Sequence, residues 1–167
     1  MSLHTVLTTL QDFPLAAAVR GDYPELAWLF PIVETVHVIA LALVFSSIVM
    51  LDLRLVGMAS RESSVSRLSR ELLPITWTAF VVAAISGTIL FISKATGYFG
   101  DIRFKMKFVL MFLAGVNMLV FHRGAYKHVE QWDVALPPPA AVRFAGAASL
   151  LLWTGIVFLG RYIGFYA

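Results

Sequence analysis

Four long apolar stretches dominate this chain and restrict it to folds that a membrane can hold. They cover about residues 26–56, 72–94, 104–122 and 142–163, and each approaches or exceeds the roughly 20 apolar residues that one helix needs to cross a bilayer core. Hydrophobic residues make up 59% of the chain and charged residues only 14%, unlike the composition of a soluble domain. Because the connections are short, neighbouring helices should be antiparallel. The sequence therefore predicts one all-α domain over residues 1–167, an integral membrane antiparallel four-helix bundle.

A short amphipathic segment precedes the first apolar stretch. Its apolar residues fall at helical spacing between polar ones over residues 3–13, which predicts a short N-terminal helix lying in the bilayer interface. Asp12 and Pro14 interrupt the apolar run and no basic residues precede it. We therefore do not expect a secretory signal peptide.

The absence of cysteine removes several classes of chemistry. With 0 Cys, the chain has no disulfide, no thiolate metal site and no cysteine nucleophile. The net charge of +3 is modest, and the basic residues are spread over several loops, so we expect no nucleic-acid partner. The lipid bilayer is the partner that the composition does require.

The distribution of basic residues gives an orientation. The first and third connections, with the helix ends beside them, hold Arg54, Arg61, Arg67, Arg70, Arg123, Lys127 and Arg143, and the opposite side holds Arg20, Lys94, Arg103, Lys105, Lys107 and Arg161. Lys and Arg concentrate on the cytoplasmic side of membrane proteins, and the side with the first and third connections holds more of them. We therefore predict a multi-pass protein of the bacterial inner membrane with these connections in the cytoplasm and both termini in the periplasm. The group Arg103, Lys105 and Lys107 then lies at the outer end of the third helix, where topology alone does not require it.

Two ionisable residues lie one turn apart in the first apolar stretch, Glu34 and His37. Ionisable side chains within a membrane helix usually mark a functional site, because burying them in lipid is costly. His37 lies about ten residues from the outer end of its span, or on the order of 15 Å deep at 1.5 Å per residue. We therefore take Glu34 and His37 as the candidate catalytic pair.

The third helix supplies candidates at the same depth. The first and third helices run in the same direction through the membrane, so His37 should lie at the depth of residues 111–115 and not at the depth of His122. The two histidines are therefore not expected to ligate one haem. A haem could instead be held by His37, with Met111 or no protein group on its other side, and Arg103, Lys105 and Lys107 could pair with its propionates. Met111 and the basic group also have simpler explanations, in core packing and in contact with lipid head groups.

Three further polar features have structural interpretations. Ser86-Gly87 and the glycines of the fourth stretch allow close helix contact or leave room for a flat ligand. Asn117 is expected to hydrogen bond across helices. Asp52 and Arg54 are expected to form an ion pair at the end of the first helix.

Several of these residues resemble those of a known group of proteins. The segments Trp28-Leu-Phe-Pro31, Glu34-x-x-His37, Leu51-Asp52-Leu-Arg54-Leu55, Ser86-Gly87 and Phe104-Lys105-x-Lys107 resemble a family of small bacterial four-span inner-membrane proteins of unassigned function. The resemblance covers about residues 26–122 and implies a fold and a candidate site.

A more distant resemblance concerns haem and copper proteins. An early His in the first helix and a Lys at the start of the third are similar to those of the membrane haem-binding protoporphyrinogen oxidase and of CopD-like membrane domains. This implies that His37 corresponds to the haem-associated histidine and Lys105 or Lys107 to the lysine. The four-helix architecture also resembles cytochrome b membrane oxidoreductases, including superoxide oxidase, but the several ligand histidines of those proteins are missing.

Together these observations predict a haem b-binding membrane redox protein with the cofactor in the outer half of the bundle. His37 would ligate the haem iron, Glu34 would be its proton partner, and quinol or a small oxidant would exchange one electron with the protein. Two alternatives remain. One is a non-enzymatic membrane protein in which Glu34 and His37 bind a cation such as copper or relay protons. The other is a structural or assembly subunit. With any of these functions the sequence allows a homo-oligomer.

Overall fold

The computed structural model describes residues 2–60, 62–134 and 137–166, with side chains through Gly164. Within these residues the chain forms helices and no strand, as predicted. The α-helices, numbered in chain order, are α1 (Leu3–Gln11), α2 (Pro14–Arg20), α3 (Leu29–Val56), α4 (Val65–Ser93), α5 (Ala95–Gly100), α6 (Ile102–Arg123) and α7 (Ala140–Tyr166). Two 3-10 segments, Pro24–Leu26 and Ala125–Gln131, lie between them.

Four helices are long and apolar enough to cross a membrane, namely α3, α4, α6 and α7. Large apolar side chains on their outward faces are exposed, for example Phe112 at 70% and Leu151 at 76%. In water such faces would be unfavourable, whereas lipid tails cover them without cost. The protein is therefore a multi-pass membrane protein, and the prediction of an all-α bundle is confirmed.

The spanning helices pack in the order α4, α3, α7 and α6. His37 of α3 bonds Ser86 of α4, and the hydroxyls of Ser47 and Thr76 lie 2.8 Å apart across the same interface. Asn117 of α6 donates to the carbonyl of Ala145 of α7 at 3.0 Å, so the predicted hydrogen bond across helices is confirmed. By contrast, α4 and α6 scarcely meet along their lengths.

The N-terminal helices lie against one end of the bundle, which we call the outer end. The side chain of Arg20 donates to the carbonyls of Gln11 at 2.8 Å and Ser93 at 3.1 Å. Gln11 in turn accepts from Thr96 of α5 at 2.8 Å. The helix predicted over residues 3–13 is found as α1, and a second short helix that was not predicted follows it, since Pro14 starts α2 and Gly21, at φ +90°, ends it.

The opposite, inner end holds a buried cluster of Leu55, Val65, Phe121, Trp132 and Val142. Arg54 is fully buried beside it and donates to the carbonyls of Ser63 at 2.8 Å and Asp133 at 3.0 Å. The prediction that Arg54 pairs with Asp52 is wrong. Residues two apart on a helix point in nearly opposite directions, and Asp52 instead lies near the Ser149 hydroxyl of α7.

Candidate functional site

His37 is half-buried in the outer half of the bundle, with its Nδ1 atom 3.0 Å from the hydroxyl oxygen of Ser86. The Ser86 hydroxyl lies 2.7 Å from the carbonyl oxygen of Val82, which can only accept, so Ser86 donates its one hydrogen there. The Ser86 oxygen must then accept from His37 Nδ1–H. In the neutral ring this leaves the lone pair on Nε2, the atom that could take a proton or bind a metal.

The absence of a side chain at Gly87 leaves space for the imidazole ring of His37. A Cβ added to Gly87 would lie 2.8 Å from His37 Cε1 and 3.4 Å from Nδ1, both well inside normal carbon contact distances. The imidazole therefore occupies the space that a side chain at this position of α4 would need. Sequence reasoning identified Ser86-Gly87 as a close-packing pair but did not assign it to His37.

Lys107 is the inward-facing member of the basic group. Its side chain is half-buried and runs toward α7, where a Cβ added to Gly160 would lie 3.7 Å from Lys107 Nζ. The ammonium is also close enough to act electrostatically on His37. Lys105, two residues earlier and on the other side of α6, is exposed, with its Nζ 5.2 Å from the ring centre of Phe99.

Arg103 is held at the helix end. Asp101 caps the start of α6 by accepting a hydrogen bond from the Arg103 backbone N–H at 2.8 Å. Its carboxylate also accepts from the guanidinium Nε of Arg103 at 2.9 Å. These bonds hold the pKa of Asp101 below its ordinary value. The guanidinium also lies 5.3 Å from the ring centre of Tyr162 on α7, so Arg103 connects α6 to α7 at the outer end.

Glu34 is exposed on α3 and does not bond His37. Its carboxylate acts instead on Tyr98 of α5: burial raises the pKa of the Tyr98 hydroxyl, and the negative charge of Glu34 raises it further. Tyr98 stacks on Phe104 with ring centres 5.9 Å apart. Glu34 therefore belongs to the outer mouth of the bundle, about one turn above His37.

Met111 and His122 lie apart from this group. Both line a cavity in the inner half of the bundle, and His37 is not among the residues that line it. Among the described residues, no three His, Cys, Asp or Glu side chains come together as a metal site. The structure thus brings His37, Ser86 and Gly87 into contact. Lys107 lies near enough to act electrostatically on the ring, and the other candidates lie around them.

No protein-family model, no curated protein and no solved structure matches this chain. The residues of the site therefore have to carry any functional conclusion.

Proposed function

We propose that this protein is a haem b-binding membrane redox protein with its cofactor in the outer half of the bundle, where His37 would hold the haem iron. The observation that supports this most is the hydrogen bond from His37 Nδ1 to Ser86, which leaves Nε2 with a lone pair. Metal-ligating histidines ordinarily donate their other ring N–H in this way, which fixes the tautomer and the ring orientation.

The donor set fits a haem held by one protein ligand. His37 supplies a nitrogen, and Lys107 supplies an inward positive charge that could pair with a propionate. Arg103 and Lys105 would contribute only from the rim, since Arg103 already bonds Asp101 and Lys105 lies over Phe99. Met111 lines the inner cavity, which His37 does not line. The proposal therefore uses His37 as the one protein ligand and does not use Met111.

The residues of this chain would bind, orient and shield the cofactor. When bound, haem supplies one-electron exchange between ferric and ferrous iron. Ser86 would hold the imidazole of His37 in one orientation and Lys107 would offset negative charge in a medium of low dielectric. Glu34, exposed at the outer mouth, would exchange protons with the aqueous phase.

The proposal includes a location and a reaction partner. We place the protein in the bacterial inner membrane with both termini in the periplasm, because the first connection and its flanks carry four arginines, Arg54, Arg61, Arg67 and Arg70. Quinol or a small oxidant would then exchange electrons with a cofactor near the periplasmic surface.

Visible spectroscopy of protein purified after expression with added haem tests the proposal. We expect a Soret band and reduced α and β bands in the wild type, lost in His37→Ala and kept in the matched control His122→Ala, which removes the histidine of the inner half. Lys107→Met should lower haem retention more than Lys105→Met does, since Lys105 would contribute only from the rim.

A folded wild-type protein without a Soret band would contradict the proposal. The same protein should then be reconstituted in liposomes, because proton or copper flux that depends on Glu34 and His37 would support the cation-binding or proton-relay alternative. Unchanged behaviour of Glu34→Gln and His37→Gln in both assays, with lowered stability, would indicate a structural role.

A further inference from the structure

A second candidate site lies in the inner half of the bundle, separate from His37. It is a cavity of about 210 Å³ to which all four spanning helices contribute, somewhat smaller than the roughly 300–1,000 Å³ of sites for drug-sized ligands. Trp77 of α4 and Met118 of α6 line it and are 49% and 40% exposed. Since α4 and α6 scarcely meet, helix packing does not close the cavity on that side.

Asp52 places an acidic group in this cavity. Asp52 is only 4% exposed, and no hydrogen-bond partner for its Oδ2 atom is found among the described residues. The Ser149 hydroxyl lies near this carboxyl group, while the neighbouring Arg54 is turned toward the inner connections. A buried carboxyl oxygen without a partner is costly, and a ligand that supplied a donor would recover much of that cost.

The other polar groups of the cavity lining also leave acceptors. His122 Nδ1 lies 2.9 Å from the Met118 carbonyl, which can only accept, so the neutral ring keeps an acceptor at Nε2. Asn117 uses its amide N–H toward Ala145, which leaves its amide oxygen. A ligand that matches this end of the cavity must therefore bring hydrogen-bond donors.

The walls favour a positively charged donor with an apolar body. Trp77, Phe80, Phe121 and Trp153 bring aromatic rings to the cavity, and Met111 and Met118 bring thioethers. Aromatic faces attract organic cations, and more strongly where water is excluded. Methionine adapts to irregular apolar shapes.

We propose that this cavity binds a small lipophilic amine in its protonated form, with the ammonium against Asp52 and the apolar body against the aromatic and methionine walls. The ligand would enter from the bilayer between α4 and α6. This site is independent of the haem proposal, because its lining includes none of His37, Ser86, Gly87 and Lys107.

Isothermal titration calorimetry of the full chain in lipid nanodiscs tests this, with 2-phenylethylammonium as probe, 2-phenylethanol as its uncharged counterpart, and empty nanodiscs to subtract partitioning. We expect saturable binding of the ammonium at least about tenfold tighter than that of the alcohol, or about 1.4 kcal/mol. Asp52→Asn should weaken ammonium binding by about tenfold or more. The matched control Glu71→Gln, an exposed acid near the inner end of α4, should leave it unchanged.

A second variant guards against misfolding of Asp52→Asn. Gly115 lines the cavity and a Cβ there meets nothing within 4 Å, so Gly115→Leu should fold and reduce the space. We expect it to weaken ammonium binding by about tenfold or more. No saturable binding to the folded wild type, full binding by Asp52→Asn, or an alcohol that binds as tightly as the ammonium would each overturn the proposal. Haem absorbance should be unaffected by either cavity variant.

Discussion

The Cε1 atom of His37 lies so close to α4 that a Cβ on Gly87 would come within 2.8 Å of it. The ring cannot simply move away, because Ser86 holds its Nδ1 atom at 3.0 Å. Glycine in the middle of a helix costs about 1 kcal/mol relative to alanine. At this position the glycine leaves room for the imidazole of His37 against α4.

Gly87→Ala should lower the free energy of unfolding by about 1–3 kcal/mol, the usual range for overpacking a well-filled interior. Gly115→Ala is the matched control in a spanning helix, because its added Cβ meets nothing within 4 Å. That variant should be neutral or more stable by up to about 1 kcal/mol. Thermal unfolding in mild detergent measures both.

The double variant Gly87→Ala with His37→Ala tests whether the ring is the cause. Removing the imidazole frees the space that the new methyl group needs, so the two changes together should cost less than the sum of their separate effects. Additive costs would show that Gly87 is required for another reason, such as the approach of the helix backbones.

Ser86→Ala should destabilise the protein by about 0.5–1.5 kcal/mol, since it leaves His37 Nδ1–H without its acceptor. Ser46→Ala is a suitable control because, within the part of the chain that the structure describes, the exposed Ser46 hydroxyl bonds only the Leu43 carbonyl of its own helix. Its effect should stay within about 0.5 kcal/mol. Equal losses of unfolding temperature for the two variants would argue against a specific role for the His37–Ser86 bond.

The fold could be predicted because apolar length is a one-dimensional property of the sequence. The largest boundary difference is in α4, which starts at Val65 and not near residue 72. Ser64 caps this helix by accepting from the Arg67 backbone N–H at 3.3 Å, so its first turns are polar and project beyond the apolar stretch. The cap is a local signal that hydrophobicity alone does not report.

The partners within the site were harder to predict. Helical spacing places Glu34 and His37 on one side of α3, but it does not say which neighbouring helix that side meets. In the structure, His37 reaches Ser86 and Glu34 acts on Tyr98. Both partners come from segments distant in sequence, and a single sequence carries no record of which helices pack together. The spacing of Asp52 and Arg54, by contrast, already argues against an ion pair.

Arg54→Met should cost about 2–4 kcal/mol of unfolding free energy. It retains much of the buried length of the side chain but removes the donor to the Ser63 carbonyl, and it leaves the Asp133 carbonyl with only the Val65 N–H among the described residues. Arg54→Lys should recover only part of this unfolding free energy, because one ammonium cannot reproduce the planar fork that reaches two carbonyls.

The control Arg67→Met removes a 74% exposed side chain paired with Glu71 and should change stability by less than about 1 kcal/mol. Similar melting temperatures for Arg54→Met and Arg67→Met would contradict the role assigned to Arg54.

The carboxylate of Asp133 should make stability depend on pH. Burial alone would raise the pKa of Asp133, but the hydroxyl and backbone N–H of Ser66 and the positive charge of Arg54 hold it below its ordinary value. A lowered folded-state pKa stabilises the protein above the unfolded value of about 3.9, and this contribution is lost as the pH falls through the folded-state pKa. Asp133→Asn should therefore have a lower melting temperature than the wild type near neutral pH, and this difference in melting temperature should shrink below about pH 4.

The control Asp12→Asn changes an exposed acid at the outer end and should have the melting temperature of the wild type near neutral pH. If the deficit of Asp133→Asn persists undiminished in acid, the carboxylate charge is not what joins the inner connections.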